Sequence, residues 1–197
     1  WEGRVELVHR PLGAFDGVLG VQLHDRDFSA FGEEAFVPPA EQDAIAVFLL
    51  EKADFGPVHF DAGVRFETQT ARQKTAGGDV DHDVVSVSGG AVWAYRDGYE
   101  LGFHGTRAER APAIEELFAG GPHLASNTFE IGDASLDEET SVNVDIFWRR
   151  TAGRWRFDLT FFYNDIEDFV FQAFNDRNGD GIADRVEEHF LDTDLVV

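Results

Sequence analysis

Apolar and polar residues alternate along most of this chain, and the period is that of a strand. From Arg154 to Asn164, Trp155, Phe157, Leu159, Phe161 and Tyr163 share one face. Arg154, Arg156, Asp158, Thr160, Phe162 and Asn164 share the other. Val142, Val144, Ile146 and Trp148 alternate in the same way with Ser141, Asn143, Asp145 and Phe147. So do Val58, Phe60, Ala62, Val64 and Phe66 with His59, Asp61, Gly63, Arg65 and Glu67. Phe15, Gly17, Leu19, Val21 and Leu23 repeat the pattern against Asp16, Val18, Gly20, Gln22 and His24. Segments 1–10, 43–53, 84–96 and 99–108 are less regular, and together these segments predict eight strands. The helical period is nearly absent, except that residues 113–119 fit one helical turn with Ile114, Leu117 and Phe118 inward.

The connections alternate too. Four are tight: Pro11-Leu12-Gly13, Phe55-Gly56-Pro57, Asp97-Gly98 and Ala152-Gly153. Glycine supplies the positive φ such turns require, and Asp-Gly is a strong hairpin signal. The other connections, about 26–42, 71–83, 109–138 and 172 onward, are long. Four hairpins with one short rim and one elaborate rim make an antiparallel up-and-down meander. Strands of about ten residues with apolar-out, polar-in alternation are the signature of a transmembrane β-barrel with short periplasmic turns and long extracellular loops. Aromatics near strand ends (Trp93, Tyr95, Tyr99, Trp148, Trp155) suit interfacial girdles. The expected fold class is therefore all-β.

Composition sharpens this picture. The formal charge of −22 argues against nucleic acid as a partner, because phosphate contacts need clustered bases. Yet 19 Phe and 4 Trp are far too apolar for a disordered acidic chain. A lipid-facing surface for the aromatics, with carboxylates in the lumen and outer loops, accommodates both. With no Cys, thiolate sites and disulfides are excluded. No nucleophile elbow, phosphate loop or zinc-protease helix is present, so no enzyme is expected.

Residues 107–145 resemble the barrel of TonB-dependent outer-membrane receptors. The resemblance rests on Arg110-Ala111-Pro112, on Glu116-Leu117-Phe118, and on Gly132-Asp133 leading through Leu136 and Glu139 to Ser141. Asp137-Glu138 replaces the family's usual Lys-Pro. Phe162 to Val170 resembles the next strand top, and Asp25 to Phe36 resembles the metal-related branch of the family. The resemblance implies an outer-membrane receptor that captures a scarce ligand, such as a metal or metal chelate, and imports it with TonB-supplied energy. It implies outer-membrane lipid, the small-molecule ligand and the TonB system, reached through a plug domain, as partners. Residues 1–197 are expected to be an internal part of a barrel of about 22 strands, with plug and C-terminal strands outside it. Two other readings compete. One is a porin-like outer-membrane channel; the other is a soluble, secreted Ca²⁺-dependent β-sandwich binding protein.

Candidate chemistry is sparse. Asp176, Asn178, Asp180, Ile182, Asp184 and Glu187 have the spacing of a Ca²⁺ loop, with oxygen ligands at alternate positions and Gly181 at the sharp turn. No cofactor is required, and Ca²⁺ in an extracellular loop is a candidate ion. Asp81, His82 and Asp83, placed in a long loop, offer imidazole and carboxylate to zinc or copper. His123 and Arg110 are candidates for the ligand vestibule, while His59 and His104 are expected to line the lumen. Arg107, Arg110, Arg149, Arg150, Arg154 and Arg156 cluster near strand ends, as partners for an anionic chelate, for lipopolysaccharide phosphate, or for lumen carboxylates.

Overall fold

The computed structural model describes residues 1–32, 35–123, 128–174, 187–191 and 195–196. Its main sheet begins with three hairpins: β1 (Glu2–Leu12) with β2 (Phe15–Phe28), β3 (Ala40–Phe55) with β4 (Val58–Gln73), and β5 (Asp79–Arg96) with β6 (Tyr99–Arg110). A short helix, α1 (Ile114–Phe118), and strands β7 (Gly120–His123) and β8 (Thr128–Ile131) follow. The fourth hairpin joins β9 (Glu139–Arg150) to β10 (Phe157–Glu167), and β11 (Phe171–Phe174), β12 (Glu187–Leu191) and β13 (Leu195–Val196) close the described chain. Strands pair in the order β1-β2-β3-β4-β5-β6-β9-β10-β13, leaving β1 and β13 at the two edges of an open sheet. β7, β8, β12 and β11 form a separate four-stranded sheet, in which β12 and β8 run parallel.

All four predicted hairpins form, but their ends differ from expectation. β3, β4 and β5 run 16, 16 and 18 residues, several turns of pleat beyond what a bilayer requires. The connection expected at 71–83 shrinks to residues 74–78. Arg72 donates to both oxygens of Asp79 (2.6 and 2.8 Å), and Gly77 and Gly78 take positive φ to turn the chain there. Conversely, β10 starts at Phe157, so Arg154, Trp155 and Arg156 belong to the connection rather than the strand. Alternation alone cannot locate a strand end, because the ladder stops where the neighbour's backbone stops.

Register sets the two faces. Leu7, Leu19, Leu49, Val64 and Val87 form one cross-strand row, and Leu101, Trp148 and Leu159 another. These side chains lie open along the apolar face. On the polar face Arg65 donates to Gln22 (2.9 Å) and pairs with Glu67, while Gln22 donates to Glu2. Phe48 is an apolar member of that face: its ring fills the space over Gly20, and Arg4 stacks on it at 4.3 Å. One polar pair breaks the apolar face. His9 and Glu51 meet at 2.9 Å across Gly17, whose missing side chain lets them touch.

Leu49 and Leu50 are sequence neighbours on opposite faces, which gives a direct test. Leu49→Arg is expected to cost about 2–4 kcal/mol in a bilayer. Leu50→Arg, on the polar face, is expected to cost well under half of that. Urea titration of the intact chain in vesicles, followed by tryptophan fluorescence, separates the two; equal costs would refute the face assignment.

Candidate ligand vestibule at the outer rim

Above the long-connection rim, residues 111–123 and 128–138 fold back onto the wall, and their anchors are the motif residues. Arg110, the last residue of β6, bonds Glu116 (2.9 and 3.3 Å) and Glu139 (3.2 Å). Burial opposes its charge, but these two carboxylates outweigh that and hold its pKa above the ordinary guanidinium value. Glu116 also accepts from the Ala113 N–H at 2.7 Å, satisfying a free donor at the start of α1. Pro112 is fully buried, and its carbonyl accepts from Gln69 on β4 at 3.2 Å. Gln69 in turn accepts from Gln42 at 2.7 Å.

The helical turn expected at 113–119 forms, and Ile114, Leu117 and Phe118 are buried as predicted. They join Ala40, Ala71, Leu136 and Val170 in a small core against the wall. Each fully buried aliphatic side chain there contributes about 1.5–3 kcal/mol by leaving water. Gly132 crosses the end of α1 so closely that a Cβ would lie 2.6 Å from the Leu117 carbonyl carbon. Its N–H donates to the Ala119 carbonyl at 2.7 Å, and Asp133 N–H to the Glu116 carbonyl at 2.9 Å. Arg26 on β2 fixes the outside of α1 through Glu115 at 2.7 Å.

The predicted site residues are redistributed. Asp81, His82 and Asp83 lie in β5 rather than a loop, so the pleat sends His82 to the face opposite both carboxylates. His82 is buried and its Nε2 meets the Leu136 carbonyl at 3.1 Å, while Asp81 accepts from Thr70. The three cannot share one ion in this arrangement, and no group of three or more metal-ligating side chains converges among the described residues. His123, in β7, stacks on Phe36 with centroids 4.8 Å apart and pairs with buried Glu130. Arg110 is committed to the clamp. The candidate Ca²⁺ residues Asp176, Asn178, Asp180, Ile182 and Asp184 lie outside the described residues, and Glu187 opens β12. His59 and His104 do stand on the polar face. His59 pairs with Asp54, and His104 reaches Asp61 at 3.7 Å across Gly90, where a Cβ would crowd both.

Sequence reading missed the cleft of about 650 Å³ between the 74–78 turn and α1, lined by Gln73, Asp79, Val80, Leu117, Phe118 and Gly132. Its walls come from segments far apart in the chain, so no local run of residues marks it, although Leu117, Phe118 and Gly132 belong to the 116–118 and 132–133 elements. Reading also missed Glu109. The β5–β6 ladder ends at the pair Val87–Arg107. Beyond it, Glu109 accepts from the Val85 N–H at 2.6 Å, replacing a lost ladder bond, and Ser86 Oγ accepts from the Glu109 N–H.

A family model described as "TonB dependent receptor-like, beta-barrel" matches residues 4–192. Three solved structures share the fold. One is the hemophore receptor HasR of Serratia marcescens, a double mutant in complex with its hemophore HasA and heme. It is 16% identical with TM-score 0.73, over 99% of this chain and 37% of that one. The copper transporter OprC gives 12% identity and TM-score 0.76 over 99% and 34%. The FrpB iron transporter of Neisseria meningitidis gives 14% and 0.66 over 95% and 30%. The chain thus spans about a third of the length of the solved structures it matches.

Glu109 yields a pH prediction. Burial acts to raise its pKa, but the Val85 N–H and Arg107 overcome that and hold it below the ordinary value of 4.5. A depressed folded-state pKa means its stabilisation is complete above pH 4.5 and is lost as pH falls through the lowered value. Amide exchange at Val85, corrected for intrinsic rates, is expected to accelerate as pH falls from 4.5 through the lowered value. Glu109→Ala is expected to show the faster exchange at every pH, with Gly63 on β4 unchanged as the control.

Proposed function

The chain belongs to the TonB-dependent receptor β-barrel family of the bacterial outer membrane, and from that premise we propose that it forms part of the wall and outer vestibule of a receptor importing a metal or metal chelate. The proposed whole is an energised importer, with its plug domain and remaining strands contributed by chain outside these residues. The observation that carries the reading is the pairing of two built features. One is a polar inner face bearing imidazole–carboxylate pairs, His59 with Asp54 and His104 with Asp61. The other is an outer segment clamped over that face by Arg110, Gln69 and His82. Imidazole and carboxylate side chains suit transition-metal cargo. Heme, copper and iron are what the related receptors are named for. His123 beside Glu130 is the vestibule residue best placed to meet such a ligand, while Arg110 acts by positioning the segment.

A clamped rim favours a preformed ligand entrance rather than a long unfolded lid. The exposed lumen histidines would then act as weak, successive contacts for a cargo that must also leave. The surplus of carboxylates, in a chain of charge −22, favours cationic or metal-centred cargo over a bare anion.

Transport by the full-length receptor in cells provides the test. Deleting the gene is expected to abolish accumulation of a labelled metal chelate, and collapsing the proton gradient in intact cells is expected to do the same. His104→Ala and His123→Ala are expected to lower uptake several-fold at limiting ligand while the amount of receptor in the membrane stays constant. Accumulation that survives deletion for every metal tested would overturn the reading. We also propose that the Asp176–Glu187 run binds Ca²⁺ and stiffens an outer loop, on the strength of its spacing. Calorimetric titration of the purified receptor is expected to show saturable heat that Asp176→Asn with Asp180→Asn removes; heat unchanged by that double substitution would refute it.

A further inference from the structure

The bases of this acidic chain are distributed unevenly. At the outer rim and on the inner face, Arg4, Arg26, Arg65, Arg72, Lys74, Arg107 and Arg110 all pair with carboxylates. At the tight-turn rim, Arg149 does so with Glu100. The described bases without a carboxylate partner are Arg10, Lys52, Arg96, Arg150, Arg154 and Arg156, and every one of them lies at the tight-turn rim. In a chain with more than twice as many acids as bases, the cations left without an acid are thus gathered at one rim.

Four of them belong to one corner, where the Thr151 N–H of the β9–β10 connection bonds the Gly98 carbonyl of the β5–β6 turn at 2.8 Å: Arg96 and Arg150 meet there, and Arg154 and Arg156 follow in the connection. Arg150 shares the apolar face with Ile146 and Trp148, and its guanidinium lies 4.8 Å from the Tyr99 ring centroid. Arg96 packs on the same ring at 5.6 Å. Gly153, at φ +98°, makes room for this arrangement, since a Cβ would sit 2.5 Å from Arg150 Nη2. Arg150 Nε finds no acceptor within the described protein. Around the pair stand Trp93, Tyr95 and Trp148, all open on the apolar face, with Trp148 Nε1 donating to the Tyr95 hydroxyl at 2.8 Å. Trp155, in the same connection, is 74% exposed. Asp97 and Asp158 are the nearby acids, and Glu100 is already used by Arg149.

We propose that this corner binds the phosphate of an anionic glycerophospholipid in the inner leaflet of the outer membrane. Short turns mark the periplasmic side, so the corner stands at inner-leaflet headgroup depth. Aromatic rings there meet the glycerol and upper acyl region. Planar guanidinium groups, held in place by stacking on Tyr99, match phosphate oxygens better than a flexible ammonium would. Lipopolysaccharide, which the arginine cluster also suggests from sequence, belongs at the opposite rim, where Arg107 and Arg110 are already neutralised. The site rests on the family's membrane orientation and is independent of which ligand is imported.

Native mass spectrometry of the intact receptor in neutral detergent, titrated with phosphatidylglycerol and with phosphatidylcholine, provides the test. Phosphatidylglycerol is expected to bind at lower concentration, and each of Arg96→Gln and Arg150→Gln to weaken it about fivefold. Arg154→Gln with Arg156→Gln lies outside the strands and keeps the ladder intact. That double variant is expected to weaken binding comparably while heat-modifiable gel migration remains that of a folded barrel. Arg107→Gln, at the outer rim, is expected to change nothing. Equal binding of the two lipids, or wild-type lipid selectivity in the folded double variant, would overturn the proposal, whatever the transport assay shows.

Discussion

Every described strand of the main sheet depends on one constraint: its backbone N–H and C=O groups must find partners on neighbouring strands, because the surrounding lipid offers none. The antiparallel ladder gives β2 through β6 and β9 a paired neighbour on both sides. Once the ladder exists, the pleat assigns each residue to lipid or lumen without further choice. The open rows of Leu, Val, Phe and Trp on one face and the Arg65–Gln22–Glu2 chain on the other are consequences of the same register. Where the ladder must end, side chains substitute for it, as Glu109 does for the Val85 N–H.

The outer segment is held by a different kind of interaction. It docks through a few aliphatic side chains and a small number of charge-assisted bonds, centred on Arg110 with Glu116 and Glu139. Breaking one partner of such a network leaves the other carboxylate or guanidinium without its counterion, which makes the clamp cooperative. The same logic explains the glycines at crossings. Gly132 passes the end of α1, and Gly90 lets His104 and Asp61 approach each other. The wall and the outer segment thus rest on separate sets of contacts.

Much of this was legible in the residues. Strict alternation and the four glycine-bearing turns located all four hairpins, and Ile114, Leu117 and Phe118 located the helical turn. The Arg110-Ala111-Pro112 and Gly132-Asp133 elements pointed to the family, and the structure shows them to be the docking residues of the outer segment. Local proximity misled at Asp81, His82 and Asp83. Three adjacent ligand types look like a site in a loop, but in a strand the pleat separates them. The arginine group misled in a second way, since spacing along the chain did not separate Arg107 and Arg110 at one rim from Arg150, Arg154 and Arg156 at the other.

By itself, then, the sequence determined strand count in the hairpins, which residues share a face, and the two-sided division between lipid and water. These are properties of a period-two pattern, and a pleated backbone must express them. Only the tertiary structure decided strand ends, ion-pair partners and the unpaired bases at the periplasmic rim. Those depend on which strand lies beside which and at what height, and register between distant segments is set by the whole ladder rather than by any local run of residues. The contrast between a charge of −22 and abundant aromatics is resolved at both levels. The alternation puts aromatics and carboxylates on different faces, and the register then shows where cations are left over.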